Sequence, residues 1–132
     1  MKISITSALR SGLAVMCLFA VAAAPLAAHH SFASFNQTVE KTVTGAVKQV
    51  EWTNPHIWIW IDVPNDKGGK DTYGFEGMSP NFLERRGWTR TTLKAGDKIT
   101  VTYYPLRDGG NGGMFRTGKM DSGKVLTGGG SQ

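Results

Sequence analysis

Residues 56–63 (HIWIWIDV) form the clearest local pattern in the chain, because an aliphatic residue occupies every second position. An alternation of this period is typical of a β-strand with one buried face. The aliphatic face comprises Ile57, Ile59, Ile61 and Val63. The opposite face comprises His56, Trp58, Trp60 and Asp62. The pattern predicts a strand whose aliphatic side chains enter a core and whose two tryptophans lie together on the outside.

Other segments rich in β-branched and aromatic residues are also predicted as strands. They are residues 40–52, 71–77, 98–104 and 114–120, with a short return at 124–126. Around Gly45 the apolar phase of the first strand shifts, from Val43 and Val47 to Val50 and Trp52. Such a shift indicates a β-bulge that bends the strand.

Between the third and fourth strands the pattern changes to that of a short helix. Ser79 suits the N-cap, Pro80 suits the first turn, and Gly87 suits the C-terminal end. In the connection that follows, Trp88 and Leu93 are expected to reach the core.

The order of three strands, one helix and two strands predicts a mostly β fold. We expect a small five-stranded OB-like barrel with one short helix between strands three and four. A small open β-sandwich is the alternative. The barrel is assigned to residues 40–127, with an N-terminal segment at 29–39 and a flexible tail at 128–132.

The first 28 residues have the layout of a signal peptide of the Sec pathway. Lys2 and Arg10 precede an uncharged apolar run at residues 13–24, which is too short to cross a bilayer. Cleavage is predicted after Ala28, although a cut after Ala27 is the alternative. The expected product is a periplasmic protein that begins at His29 and keeps no integral membrane segment.

Removing the signal peptide also removes Cys17, the one cysteine of the chain, so a disulfide is not expected. The mature chain has 13 Lys and Arg residues against 10 Asp and Glu residues, and the basic residues are scattered. This mild charge and the predicted location argue against nucleic acid as a partner. With three histidines in the whole chain and no carboxylate pair that stands out, we expect a non-enzymatic protein.

The outer face of the second strand is the first candidate site. Adjacent exposed tryptophans are typical of a surface that binds a partner, and strands two and three form the usual binding face of OB folds. We therefore predict that Trp58 and Trp60, with Asn54 and Trp52 nearby, bind an unknown small ligand or periplasmic protein. The alternative is that the N-terminal segment or the loop at 105–113 covers the two rings.

The histidines form the second candidate site. A mature N-terminus at His29 would offer an α-amine and an imidazole to one metal ion, and His30 or His56 would add a nitrogen. Nitrogen ligands in such an arrangement suit Cu(II). A solvated end and a turn-stabilising His56 are the alternative. Glu51 and Glu76 could supply oxygen ligands, but nothing in their spacing selects them.

Several short motifs together resemble a family of small exported bacterial proteins that is known only as a domain of unknown function. They are HHSF at 29–32, VEWTNPH at 50–56, GFEG at 74–77, SPN at 79–81, RGW at 86–88 and GDKITV at 96–101. The resemblance covers essentially all of the mature chain. It implies a periplasmic OB-like barrel and supplies no substrate.

Overall fold

Six strands and one short helix follow one another in the part of the chain that the computed structural model describes, residues 32–128. The strands are β1 (Lys41–Glu51), β2 (Trp58–Pro64), β3 (Lys70–Glu76), β4 (Lys98–Pro105), β5 (Gly112–Met120) and β6 (Val125–Thr127). The helix α1 (Pro80–Glu84) lies between β3 and β4. The predicted signal peptide, His29, His30 and residues 129–132 lie outside the described residues.

The strands pair in the order β3-β2-β1-β4-β5-β6, with antiparallel neighbours throughout. A parallel pairing between β3 and β5 then joins the two sides of the sheet. This seam closes strands β1 to β5 into a mixed barrel, and β6 extends the sheet beyond β5. The predicted five-stranded OB-like barrel is therefore confirmed, and the open sandwich is wrong.

The alternation of β2 determines which side chains fill the barrel. Ile57, Ile59 and Ile61 are at most 1% exposed, whereas Trp58 and Trp60 on the other face are half-buried. In β4 the same rule buries Ile99, Val101 and Tyr103. Aromatic contacts complete the core: Phe75 packs on Tyr103 with ring centroids 4.9 Å apart, and Trp88 meets the Phe115 ring edge-on at 5.7 Å.

The bulge in β1 is present, and it lies at Lys48. The register with β2 shifts between Val47 and Gln49, so that Lys48 has no partner across the ladder. Gly45 has a different role, because a Cβ at this position would lie 2.4 Å from the carbonyl oxygen of Asp62. The glycine therefore permits β1 and β2 to approach closely at the bend.

Helix α1 has the predicted boundaries. The Ser79 hydroxyl accepts a hydrogen bond from the amide of Phe82 at 3.4 Å, and Pro80 occupies the first turn. After the helix, Gly87 adopts a φ of +84°, a conformation that side chains disfavour, and the chain turns back. Trp88 and Leu93 then enter the core at 4% exposure each, as predicted. Within residues 32–128, no helix has the length and hydropathy needed to span a bilayer.

The described part of the N-terminal segment lies along the connection between β4 and β5. Phe35 is 3% exposed and forms a β-bridge with Leu106. The amide of Asn36 donates to the carbonyl of Pro105 at 2.8 Å, and the amide of Arg107 donates to the carbonyl of Ser34 at 2.9 Å. These contacts anchor the segment to the barrel just before β1 begins.

Tyr103 makes the stability of the barrel sensitive to alkaline pH. Burial raises the pKa of its hydroxyl above the ordinary value of 10.0, and the neighbouring Tyr73 adds to the shift. Above that ordinary value the unfolded chain loses a proton that the folded chain retains, so the free energy of unfolding falls as the pH rises. The stabilising contribution is complete below pH 10 and is lost as the pH rises through the folded-state pKa.

We expect Tyr103→Phe to show a smaller alkaline loss of stability than the wild type. Urea unfolding at neutral pH and at pH values above 10 measures the difference between the two proteins. Equal alkaline losses in both proteins would show that ionisation of Tyr103 is not linked to folding.

Candidate functional site

The pairing of β1, β2 and β3 arranges the outer side chains of the barrel in rows across three strands. Trp58 lies between Glu51 on β1 and Glu76 on β3 in the first row. Trp60 lies between Gln49 and Gly74 in the second row. Asp62 lies between Ala46 and Thr72 in the third row, beside the bulge at Lys48. The tryptophans thus stand in the middle strand, with polar neighbours on both sides.

Trp58 and Trp60 stack on each other, with ring centroids 5.5 Å apart and an angle of 17° between the planes. Both side chains are half-buried, so part of each ring remains accessible. A stacked aromatic pair contributes about 0.5–1.5 kcal/mol beyond the area that it buries. We call Trp58 and Trp60 the tryptophan platform. The structure brings these two predicted site residues together as the sequence indicated.

Glu51 fixes the orientation of the platform from β1. Its Oε1 atom accepts a hydrogen bond from the indole N–H of Trp60 at 2.9 Å and another from the Gln49 amide at 2.8 Å. Hydrogen bonds to an ionised acceptor are among the stronger ones in proteins. The carboxylate therefore holds the Trp60 ring in one rotamer and keeps the platform preorganised.

Gly74 provides the space that the Trp60 ring occupies on the side of β3. A Cβ at residue 74 would lie 2.4 Å from Cζ3 of Trp60, which is closer than any real contact between such atoms. The indole therefore extends over bare backbone. A larger residue here would push the ring away from Gly74 and out of the stack.

His56 and Glu76 form an ion pair at the head of the platform. The imidazole Nδ1 lies 2.5 Å from Oε1 of Glu76, and Glu76 is in turn the row neighbour of Trp58. A carboxylate at Nδ1 holds the ring proton on that nitrogen and leaves the lone pair at Nε2. His56 thereby offers an oriented nitrogen next to the tryptophans.

The other predicted site residues lie in different surroundings. Trp52 is 8% exposed in the core, and its indole N–H has no hydrogen-bond partner among the described residues. Its carbonyl accepts a hydrogen bond from Arg90 at 3.3 Å. Asn54 is exposed, in the turn before β2, and is linked to Pro55 by a cis peptide bond. The structure thus places Trp52 beneath the surface and Asn54 at the edge of the site.

The predicted metal ligands can be placed only in part. His56 belongs to the pair described above, whereas His29 and His30 lie outside the described residues. Within residues 32–128, no three His, Cys, Asp or Glu side chains are grouped so as to hold a metal ion. Nδ1 of His56 is taken by Glu76, so any metal at this residue would bind Nε2.

The analysis of local patterns missed the polar residues that orient the platform, namely Gln49, Glu51, Gly74 and Glu76. Their relation to the tryptophans depends on the register between strands, which the bulge at Lys48 sets for β1. The signal that could have located Glu76 is the tight turn at 64–70, since counting back from it pairs Trp58 with Glu76.

A shallow groove lies further along the same outer surface and shares Asp62 with the third row. Its volume is about 450 Å³. The lining residues are Thr44, Gly45, Ala46, Asp62, Pro64, Lys70, Gly96 and Lys98. The groove is open to solvent and largely apolar, and it widens the surface that a ligand on the barrel could contact.

Gly74→Ala tests whether the glycine maintains the stacked pair. We expect the added methyl group to displace the Trp60 ring, to abolish the exciton-coupled circular dichroism of the two indoles, and to cost about 1–3 kcal/mol of stability. Gly69→Ala is the matched control, because its Cβ would meet only Asn65 at an ordinary 3.5 Å. An unchanged exciton band in Gly74→Ala would contradict this role.

Comparison with known proteins assigns the chain to a family without identifying a ligand. Searches of the curated proteins and of the solved structures found no match. One family model matches residues 15–116, a stretch that extends from the predicted signal peptide into β5. The chain therefore belongs to DUF6152, a family of unknown function.

Proposed function

We propose that this protein is an exported, non-enzymatic binding module that holds a small ligand or a protein partner on the tryptophan platform. The observation that carries the proposal is the stacked and partly accessible pair of Trp58 and Trp60 on the outside of β2. Export rests on the predicted signal peptide at residues 1–28, and a periplasmic location follows from it.

Energetic cost supports a binding role for the two rings. Tryptophan has a large apolar surface whose exposure to water is unfavourable, and exposed aromatic patches commonly mark interaction sites. The chain nevertheless invests a carboxylate, Glu51, and a bare backbone position, Gly74, in holding Trp60 on the outside. Preorganised rings lose little conformational entropy on binding, so such an arrangement favours affinity.

The position of the platform in the fold supports the same conclusion. The face formed by strands two and three is the one that OB-fold proteins commonly use for binding. The first two rows contain no Ser, Thr or Cys that the His56–Glu76 pair could activate as a nucleophile. Binding without catalysis is therefore the function that these side chains support best.

The double variant Trp58→Ala/Trp60→Ala tests the proposal. We expect it to fold cooperatively and to lose retention of ligands or partners from a periplasmic extract, because a central tryptophan contributes about 2 kcal/mol or more to binding, roughly 30-fold in affinity. Tyr104→Ala is the control, because Tyr104 is a half-buried aromatic of β4 that packs under Arg116 outside the platform. Retention should be measured by mass spectrometry on the immobilised proteins.

Two outcomes of this experiment would contradict the proposal. Loss of the cooperative unfolding transition in the double variant would make the tryptophans structural residues. Equal retention by the double variant and the wild type would place any binding elsewhere on the molecule.

A second candidate function, copper binding, is favoured by the His56–Glu76 pair. Histidines that ligate metals usually donate their other ring N–H to a carboxylate, which orients the ring and raises its basicity. The contact between Nδ1 of His56 and Glu76 has this form. We propose that Nε2 of His56 joins the nitrogen donors expected at a mature N-terminus beginning with His29, and that Cu(II) is the ion bound.

His56→Ala tests the copper proposal once mass spectrometry has established the first residue of the mature protein. We expect the variant to change the electron paramagnetic resonance spectrum of the Cu(II) complex, because one nitrogen ligand is lost. Lys94→Ala, an exposed residue of the loop before β4, is the control. An identical spectrum for His56→Ala and wild type would leave only a generic terminal chelate.

A further inference from the structure

The two tryptophans of the platform differ in the charge of their neighbours. Trp58 has a carboxylate on each side, Glu51 on β1 and Glu76 on β3, whereas Trp60 lies between an amide and a glycine. The third row adds another carboxylate, Asp62. A ligand on the platform would therefore meet an aromatic surface with acidic borders.

We propose that the platform binds a small organic cation, an alkylammonium or guanidinium compound, with its charged group against Trp58. This inference rests on the function proposed above and names the chemical class of the ligand. Tryptophan is the aromatic side chain that attracts cations most strongly, at distances within about 6 Å of the ring centroid. Flanking carboxylates add Coulombic attraction and discriminate against anions.

Glu51 is the carboxylate best placed to meet such a cation. Both of its hydrogen bonds go to Oε1, from Trp60 and Gln49, and its Oε2 accepts none within the described residues. The side chain is exposed, so a ligand can reach it. Glu51 therefore both orients the platform and presents an available anionic oxygen at its border.

The local charge contrasts with that of the whole protein. The full chain has a formal net charge of +5, yet three of the side chains in the three rows are carboxylates. The cations nearest to the rows are already occupied: Lys48 lies 3.4 Å from the Thr72 hydroxyl, and Arg90 binds the Trp52 carbonyl. An acidic aromatic patch on a basic protein selects a positively charged ligand.

The size of the platform favours a small molecule over a protein surface as the occupant. Two tryptophan side chains bury about 150–250 Å² each when fully covered, whereas a stable protein interface buries about 800 Å² on each partner. The two rings and their bordering carboxylates match the dimensions of one cationic group. Peptide ligands that display arginine or lysine are therefore a comparison arm of the test.

Choline and its neutral isostere 3,3-dimethylbutan-1-ol separate charge from shape. We expect choline to quench tryptophan fluorescence saturably in the full mature protein and to bind at least tenfold more tightly than the neutral alcohol. The affinity for choline should fall as salt is added, because exposed charges are screened. Trp58→Ala should abolish the choline signal.

Glu51→Gln tests the carboxylate without removing the oxygen that holds Trp60. We expect this variant to lower choline affinity about tenfold, while Glu84→Gln, an exposed carboxylate of α1, should leave it unchanged. The near-ultraviolet circular dichroism of the tryptophans should be the same in Glu51→Gln and wild type. This readout separates loss of charge from displacement of the rings.

Several results would overturn the cation. They are equal affinity for choline and the neutral alcohol, an unchanged choline affinity in Glu51→Gln, binding of an arginine peptide without choline, and binding of a neutral disaccharide without choline. If Trp58→Ala abolishes the peptide, alcohol or disaccharide binding, the platform remains a binding site with a different ligand. If choline binding survives in Trp58→Ala, this location is wrong.

Discussion

The close approach of backbone at Gly74 is the constraint on which both the barrel and its outer surface depend. On one side, β5 passes so near that a Cβ at Gly112 would lie 1.9 Å from the carbonyl oxygen of Gly74. On the other side, the Trp60 ring occupies the space above the same glycine. The parallel pairing of β3 with β5 closes the barrel here, at Gly74–Gly112 and the two positions that follow. A single residue without a side chain therefore serves the seam and the platform together.

The seam also determines where the acidic border of the platform lies. Glu76 is the last residue of β3 and pairs with Met114 across the parallel ladder, so its backbone is held from β5 while its carboxylate holds His56. Closure of the barrel and orientation of the site are thus parts of one network. This dependence explains why the polar residues of the site occur on three different strands.

Local periodicity was sufficient to predict the fold, because burial in a barrel repeats every two residues. The alternation of residues 56–63 identified the buried isoleucines and the outward tryptophans, and Ser79 and Pro80 marked the helix. The site was predicted less completely. Glu51 and Glu76 are 25 positions apart and carry no mutual pattern, so only the strand register places each beside Trp58.

Two errors of interpretation have the same physical origin. The bulge was associated with Gly45, but the extra residue is Lys48, and the glycine instead relieves a close approach to Asp62. Trp52 was grouped with the binding residues, yet the bulge turns its side chain into the core. A one-residue shift moves a side chain to the other face of a strand, and periodicity alone does not locate where the shift occurs.

The shortest strand protects the barrel from unwanted association. β6 pairs Val125 to Thr127 with Lys119 to Thr117 of β5, and the carbonyl of Thr127 accepts the indole N–H of the buried Trp88 at 3.2 Å. Without these residues, β5 would present unpaired amides and carbonyls to other chains, and Trp88 would lose its partner. Because unpaired edges promote intermolecular strand addition, the three residues of β6 are a safeguard of the monomer.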